Sequence, residues 1–205
     1  MSVFIHPTSI VETDDIGDGT YIGPYCYVTK RSVIGKNCNL VAYCSIGTPG
    51  EHPHDPDDRG GMVYIDDETE IREFVTVNSP IFGPHTKVGF HSYLMTKSHV
   101  GHDAVLGHHT VLSSMSIVGG HTVIGNYTYM GLNATTHQRS IIGSFCMIGA
   151  NAFFKGESPS GVIWAGVPAS PIKINLVGLD RHASSNEHHY IIDAATKFIS
   201  KWPKR

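Results

Sequence analysis

The sequence predicts an all-β protein, a parallel β-helix of hexapeptide repeats closed by a short C-terminal α-helix. Three observations carry that prediction. First, an inward-type residue recurs every sixth position from Val88 through Leu94, Val100, Leu106, Leu112, Val118, Ile124, Met130, Thr136, Ile142 and Ile148 to Phe154, and only Thr136 is polar. Second, four residues after each comes a small side chain: Ser92, Ser98, Ala104, Thr110, Ser116, Thr122, Thr128, Ala134, Ser140, Cys146, Ala152 and Ser158. Third, glycine directly follows most of the apolar residues, as at Gly89, Gly101, Gly107, Gly119, Gly125, Gly131, Gly143 and Gly149.

A period of six smears these residues around a 3.6-residue helix but keeps one face of a strand, where the period is two. Each hexad therefore predicts a short strand and a tight turn, with the glycine supplying a backbone conformation that bulky residues avoid. Three hexads make a triangular coil. Coils bury their apolar stripe only by stacking, so residues 18 apart become neighbours.

Taken in order, the repeat starts with Ile10, Ile16, Ile22, Val28, Ile34, Leu40 and Ile46, with Cys26, Cys38 and Cys44 at small positions. It breaks over residues 48–62, a polar stretch rich in proline and glycine. Ile65, Ile71 and Val77 resume it, and a second break covers 79–87. Loops of that kind inside a compact fold are usually functional. The β-helix is expected to span 1–165 and a C-terminal extension 166–205. The extension carries one helix, about 186–202, capped by Ser184 or Ser185. Its apolar face comprises Tyr190, Ile191, Ala194, Ala195, Phe198, Ile199 and Trp202, which would cover the last open coil.

Composition narrows the function classes. A formal net charge of -3 and a pI near 6.5 offer no basic stripe for nucleic acid. No apolar run approaches the length of a membrane span, and the first residues do not read as a signal peptide, so a cytoplasmic protein is expected. All four cysteines fall at small inward positions and read as buried hydrophobes, neither disulfides nor metal ligands.

Fourteen histidines make most of them ordinary turn residues. The run Lys97-Ser98-His99-Val100-Gly101-His102-Asp103 differs, because stacking by 18 puts His102 over Gly120 and Gln138, Asp103 over His121 and Arg139, and Gly101 over Gly119 and His137. A base, a carboxylate and a glycine N–H on one corner are the parts acyl transfer needs. A zinc site resembling that of the gamma-class carbonic anhydrases would call for H-x-x-x-x-H, whereas His85 to His91 and His102 to His108 each have five intervening residues, so no metal is expected.

The hexad motif resembles the hexapeptide-repeat transferases, and that resemblance implies a left-handed coil and a homotrimer. Longer matches resemble UDP-N-acetylglucosamine O-acyltransferase, the first step of lipid A synthesis: IHPTSIV, SIG, IREFVTV, TKVG, LM-x-x-x-H-x-x-H-D, GGH, HQ and N-x-x-G-L-x-R. The resemblance implies His102 as general base, Asp103 as its orienting carboxylate and Gly120 as oxyanion donor. It implies His99, His121, His137 and Gln138 around the acceptor sugar and its nucleotide. Asn175 and Arg181 then contact the acyl donor, and Ala150 with Met147 gauge acyl length. Departures are Asn78-Ser79-Pro80, where the family has His-Arg-Gly, and Asp180 and His182, where it has Lys and Arg; Asn78 is kept as a substrate-side candidate.

The expectation is a nucleotide-sugar acyltransferase without a resident cofactor. The favoured reaction is N-acylation of a nucleotide-linked amino sugar from acyl-CoA for a surface polysaccharide. The alternative is O-acylation of UDP-N-acetylglucosamine from acyl carrier protein in lipid A synthesis. A non-catalytic structural role is the remaining rival.

Overall fold

The computed structural model describes residues 2–52 and 61–203. The sixfold residues leave water entirely: Val88, Leu94, Val100, Leu112, Val118, Met130, Ile148 and Phe154 are all 0% exposed. Burying an aliphatic side chain that fully is worth roughly 1.5–3 kcal/mol. The small residues pack beside them, and all four cysteines are buried free thiols.

Each hexad is a short strand and a turn, and the strands stack into three sheets of ten, eight and seven strands. The product is a left-handed parallel β-helix. We call its sides the first sheet (Tyr93–Leu94, Val111–Leu112), the second (His99–Val100, Ile117–Val118) and the third (Val105–Leu106, Val123–Ile124). The 18-residue stacking is direct, with Lys87 beside Val105, Tyr93 beside Val111 and His99 beside Ile117.

Both interruptions are looped out while the stacking continues across them, since Ser45 pairs with Thr76 and Thr76 with His99, with one register shift between Val77 and Asn78. They are narrower than expected. Thr48 and Met62 belong to strands, as does the segment His85–Val88, so the insertions proper are 49–61 and 79–84. Residues 53–60 of the first expected loop lie outside the described residues. Both insertions leave the corner between the second and third sheets, which is also the corner of His102.

Several expectations are corrected. The repeat glycines do not serve the left-handed backbone. That conformation falls two residues later, every sixth residue from His91 (φ 52°) through Asp103 (60°), His109 (56°) and His121 (57°) to Asn151 (58°). None of these residues is β-branched, as the sterics require. The glycines are needed for close approach: a Cβ on Gly125 would lie 2.5 Å from the Ser144 N of the next coil. Ile10 does not point inward. It is 63% exposed, and Val11 stacks on Val28 instead. Near the other end the coil tightens, so Ser158 pairs with Ile142 at a strand position and does not fill a small one.

The last coil is filled by Trp164, whose Nε1–H donates to Ser158 Oγ at 2.7 Å. Beyond it, the strand Ser170–Ile174 pairs antiparallel with Val162–Ala165. Two helices follow, where one was expected. Helix α1, Leu176–His182, is capped by Asn175, whose side chain accepts from Gly178 N–H. Helix α2, Ser185–Lys201, has a capping box between Ser184 and Glu187. Ala195 enters the core, and Phe198 and Trp202 lie against Trp164 with ring centroids at 5.9 and 5.2 Å. Tyr190 is not part of that face; it is 77% exposed.

Candidate active site

The corner after His99–Val100 is built by the repeat itself. Val100 anchors the coil inward, Gly101 allows the next coil to approach, and Asp103 takes the left-handed turn position. The next coils stack in register: His121 N–H donates to the His102 carbonyl, and Arg139 N–H to that of Gly120, both at 2.9 Å. His102, Asp103, Gly120, His121, Gln138 and Arg139 therefore share one corner, with His137 at its edge, as the register predicts.

His102 Nδ1 lies 2.7 Å from Asp103 Oδ2, and both residues are buried. That hydrogen bond assigns the proton to Nδ1 and leaves Nε2 as the acceptor. Nε2 faces Gly120 so closely that a Cβ there would lie 2.7 Å from it. Asp103 also accepts from the N–H groups of Ile81 (3.1 Å), Phe82 (3.3 Å) and Gly83 in the second insertion. Burial pushes its carboxyl up. The His102 hydrogen bond and the amides of Ile81, Gly83 and Phe82 outweigh burial and hold it below the usual carboxylate range.

Aromatic rings enclose the imidazole. Phe82 stacks on His121 (5.5 Å, 28°) and sits 6.1 Å from His102, while His52 meets His102 edge-on at 6.3 Å. His121 Nε2 is 3.7 Å from Asp103 Oδ2. Burial lowers the proton affinity of His121, with Asp103 opposing the effect and Arg139 and His102 adding to it. His99 faces the second sheet's outside, where Nδ1 meets Thr76 Oγ1 at 2.7 Å, and burial lowers its proton affinity too.

His102, Asp103 and His121 bring ligand-type atoms within 4.8 Å of one another, a spacing a cation could bridge. The Asp103 carboxylate is already engaged by an imidazole and three backbone amides. The arrangement thus fits an imidazole base with an orienting carboxylate better than a metal cage.

The remaining candidates are dispersed. Asn78 is 4% exposed, and its amide donates to Thr48 Oγ1 and the Pro49 carbonyl, so it pins the first insertion and does not reach outward. Met147, Asn175 and Arg181 line a groove of about 380 Å³ along the first sheet. Asn175 is committed there to capping α1 and to the Phe145 carbonyl. Ala150 is exposed at the next corner and is not among the groove's lining residues.

The groove's floor went unnoticed in the sequence. It is a stack of rings at the corner between the third and first sheets: His91 on His109 (4.9 Å), His109 on Tyr127 (4.6 Å) and His182 on Tyr127 (4.7 Å). Counting by 18 from His91 would have found the first three. His52 and Phe82 carry no such signal, because they sit on insertions outside the period.

Comparison with known proteins agrees with the fold and the motifs. Residues 15–48 match the bacterial transferase hexapeptide family (six repeats). An acyl-[acyl-carrier-protein]–UDP-N-acetylglucosamine O-acyltransferase of Mesorhizobium japonicum is 31% identical over 121 residues, 49% of this chain and 43% of the relative. The chain thus spans less than half of that curated relative. UDP-N-acetylglucosamine acyltransferase from Campylobacter jejuni superposes with a TM-score of 0.77 at 24% identity, covering 97% of this chain and 86% of that one. The Acinetobacter baumannii structure titled LpxA gives 0.74 at 25% identity, covering 100% and 84%.

Proposed function

We propose that this hexapeptide-repeat β-helix protein, similar in sequence and fold to the UDP-N-acetylglucosamine O-acyltransferases, transfers an acyl group from a thioester to a nucleotide-linked sugar. One observation carries the reading: His102 Nδ1 is held 2.7 Å from Asp103, which turns a free Nε2 toward a corner cleared of side chain at Gly120. In the step this supports, Nε2 takes the proton of the acceptor hydroxyl as its oxygen attacks the thioester carbonyl. The carbonyl becomes an oxyanion, for which the Gly120 N–H, with no side chain of its own beside it, is the proposed donor. Collapse breaks the carbon–sulfur bond, and the thiolate leaves with the proton from His102. No covalent enzyme intermediate is needed.

The relatives' names favour UDP-N-acetylglucosamine as acceptor and acyl carrier protein as donor, and this is the reading we adopt. N-acylation from acyl-CoA is kept as a second reading for a specific reason. Next to Arg181 on α1, the Asp180 side chain is 67% exposed and pairs with His188 at 2.7 Å, which sets a carboxylate beside the cation an acidic carrier protein would use.

The base and the groove lie on different corners of one chain, with the third sheet between them. A neighbouring copy is therefore proposed to complete the site, in a homotrimer with threefold closure. Among the described residues no helix is long and apolar enough to cross a membrane.

The assay is direct. The purified chain is supplied with UDP-N-acetylglucosamine or UDP-linked amino sugars, each with matched acyl carrier protein and acyl-CoA thioesters, and acylated sugar is measured by mass spectrometry. Product from the first acceptor with a carrier-protein preference above tenfold, fading with salt, is the expected result. Product only from an amino sugar and acyl-CoA would shift the reading to N-acylation. No product from any pair would remove it.

A further inference from the structure

We infer that the second insertion, residues 79–84, is the positioning element of the site: its consecutive amides at Ile81, Phe82 and Gly83 clamp the Asp103 carboxylate and through it aim His102. The inference rests on the acyl-transfer reading only for its kinetic consequence.

The geometry is specific to this loop. Three successive N–H groups converge on one carboxylate, with Ile81 on Oδ2, Gly83 on Oδ1 and Phe82 shared between them. From below, Thr86 Oγ1 accepts the Asp103 N–H at 2.8 Å. Asp103 is thus held from both ends, and its left-handed backbone (φ 60°) directs the side chain toward the loop and away from solvent. Successive backbone N–H groups of this kind form an anion-binding nest. The loop is anchored in turn by Ile81, which is 4% exposed, and by Ser79, whose N–H donates to the Thr48 carbonyl at 2.7 Å.

The consequence is a charge that stays fixed. A carboxylate accepting three backbone N–H groups favours its ionised form. A fixed carboxylate holds the Nδ1–H tautomer of His102 and keeps Nε2 pointed at Gly120. The loop is no lid. It acts through Asp103, and Gly83 is a positioning residue.

Gly83 offers a clean test. A Cβ added there meets one residue only, with Asp103 Oδ1 at 2.8 Å, and Gly83 does not occupy the left-handed region. Gly83→Ala therefore wedges the carboxylate aside while sparing the core. Two readouts are needed. In the whole protein, labelled for NMR at the aspartate ¹³Cγ, the Asp103 carboxyl of Gly83→Ala should titrate at higher pH than in wild type. In turnover assays the variant should lose about ten- to a hundredfold in kcat with KM nearly unchanged, the scale expected of a displaced catalytic group. In an Asp103→Ala background, Gly83→Ala should cost nothing further, because the wedge has no partner left.

Ile81→Ala keeps every amide and is the control for loop packing. It should lower Tm without moving the Asp103 titration. An unchanged Asp103 titration in Gly83→Ala overturns the inference, and so does an equal kcat loss with and without Asp103. If the wild-type chain transfers no acyl group, the proposed function fails, and the NMR titration still decides the loop's role.

Discussion

His102 and His108 lie six residues apart, each the second residue after an inward side chain, yet they have different chemistry. His102 hydrogen-bonds Asp103 and faces the insertion at 79–84. His108 is followed by another histidine, stacks on Phe90 with ring centroids 4.0 Å apart, and its buried Nδ1 has no partner among the described residues. The repeat supplies both positions equally. What separates them is a carboxylate at the next residue and a loop that leaves only the first corner. The first corner is the candidate site because something outside the period converges on it.

The sharpest way to break this comparison is to remove each imidazole. His102→Ala should lower kcat by about 10²–10⁴, the usual contribution of a positioned base, with KM little changed. His108→Ala should stay within about threefold, because only a catalytic group carries a factor of that size. Steady-state kinetics on both variants decides it. Equal losses at the two positions would mean that the ring stack, and not the Asp103-held imidazole, governs turnover.

The second corner should report in binding and not in chemistry. Arg181 is exposed beside the His91–His109–Tyr127 stack and Met147, on a groove whose His91 meets the half-exposed Glu68 carboxylate at 3.1 Å and no buried one. Arg181→Ala should raise KM for the thioester donor by about tenfold, roughly one lost charge-assisted hydrogen bond, and leave kcat nearly intact. Donor titration in turnover assays checks it. A kcat loss as large as that of His102→Ala would place both corners in the same step.

The periodic part of this molecule was legible in the sequence for a physical reason. Inward burial repeats every six residues, so one miscounted residue would break the pattern visibly. Stacking by 18 then brings His102, Gly120 and His121 together from their numbering alone. What escaped were backbone roles, the direction some side chains face, and the His91–His109–Tyr127 column, which the same count would have reached. The amides of Ile81, Phe82 and Gly83 are backbone groups that no residue type announces. Asn78 faces the protein and not a ligand because the neighbouring insertion needs its amide. The glycine after each inward residue was assigned to turn conformation, whereas coil-to-coil contact demands it, as the 2.5 Å approach at Gly125 shows. Asn175 matched a donor motif and proved to be a helix cap, a role that N-x-x-G encodes equally well.

The smallest expected effect concerns protons at the second corner. Burial lowers the proton affinity of His109, and its neighbours His91, His108 and His182 lower it further. The groups facing it are thus basic, and the Glu68 carboxylate is engaged 3.1 Å from His91. A histidine whose folded proton affinity is depressed is neutral in the folded chain at a pH where the unfolded chain already binds a proton. Its stabilising contribution is therefore complete above the unfolded value, about pH 6.5, and fades as the pH falls toward the lower folded value. Tm should accordingly drop between pH 7 and 5. His109→Asn should make that drop shallower by removing that group. Thermal melts of wild type and variant at closely spaced pH values measure the slope. If His109→Asn leaves the acid slope unchanged, the ring stack carries no proton linkage, and the two corners differ in the burial of their carboxylates, Asp103 inside and Glu68 half exposed.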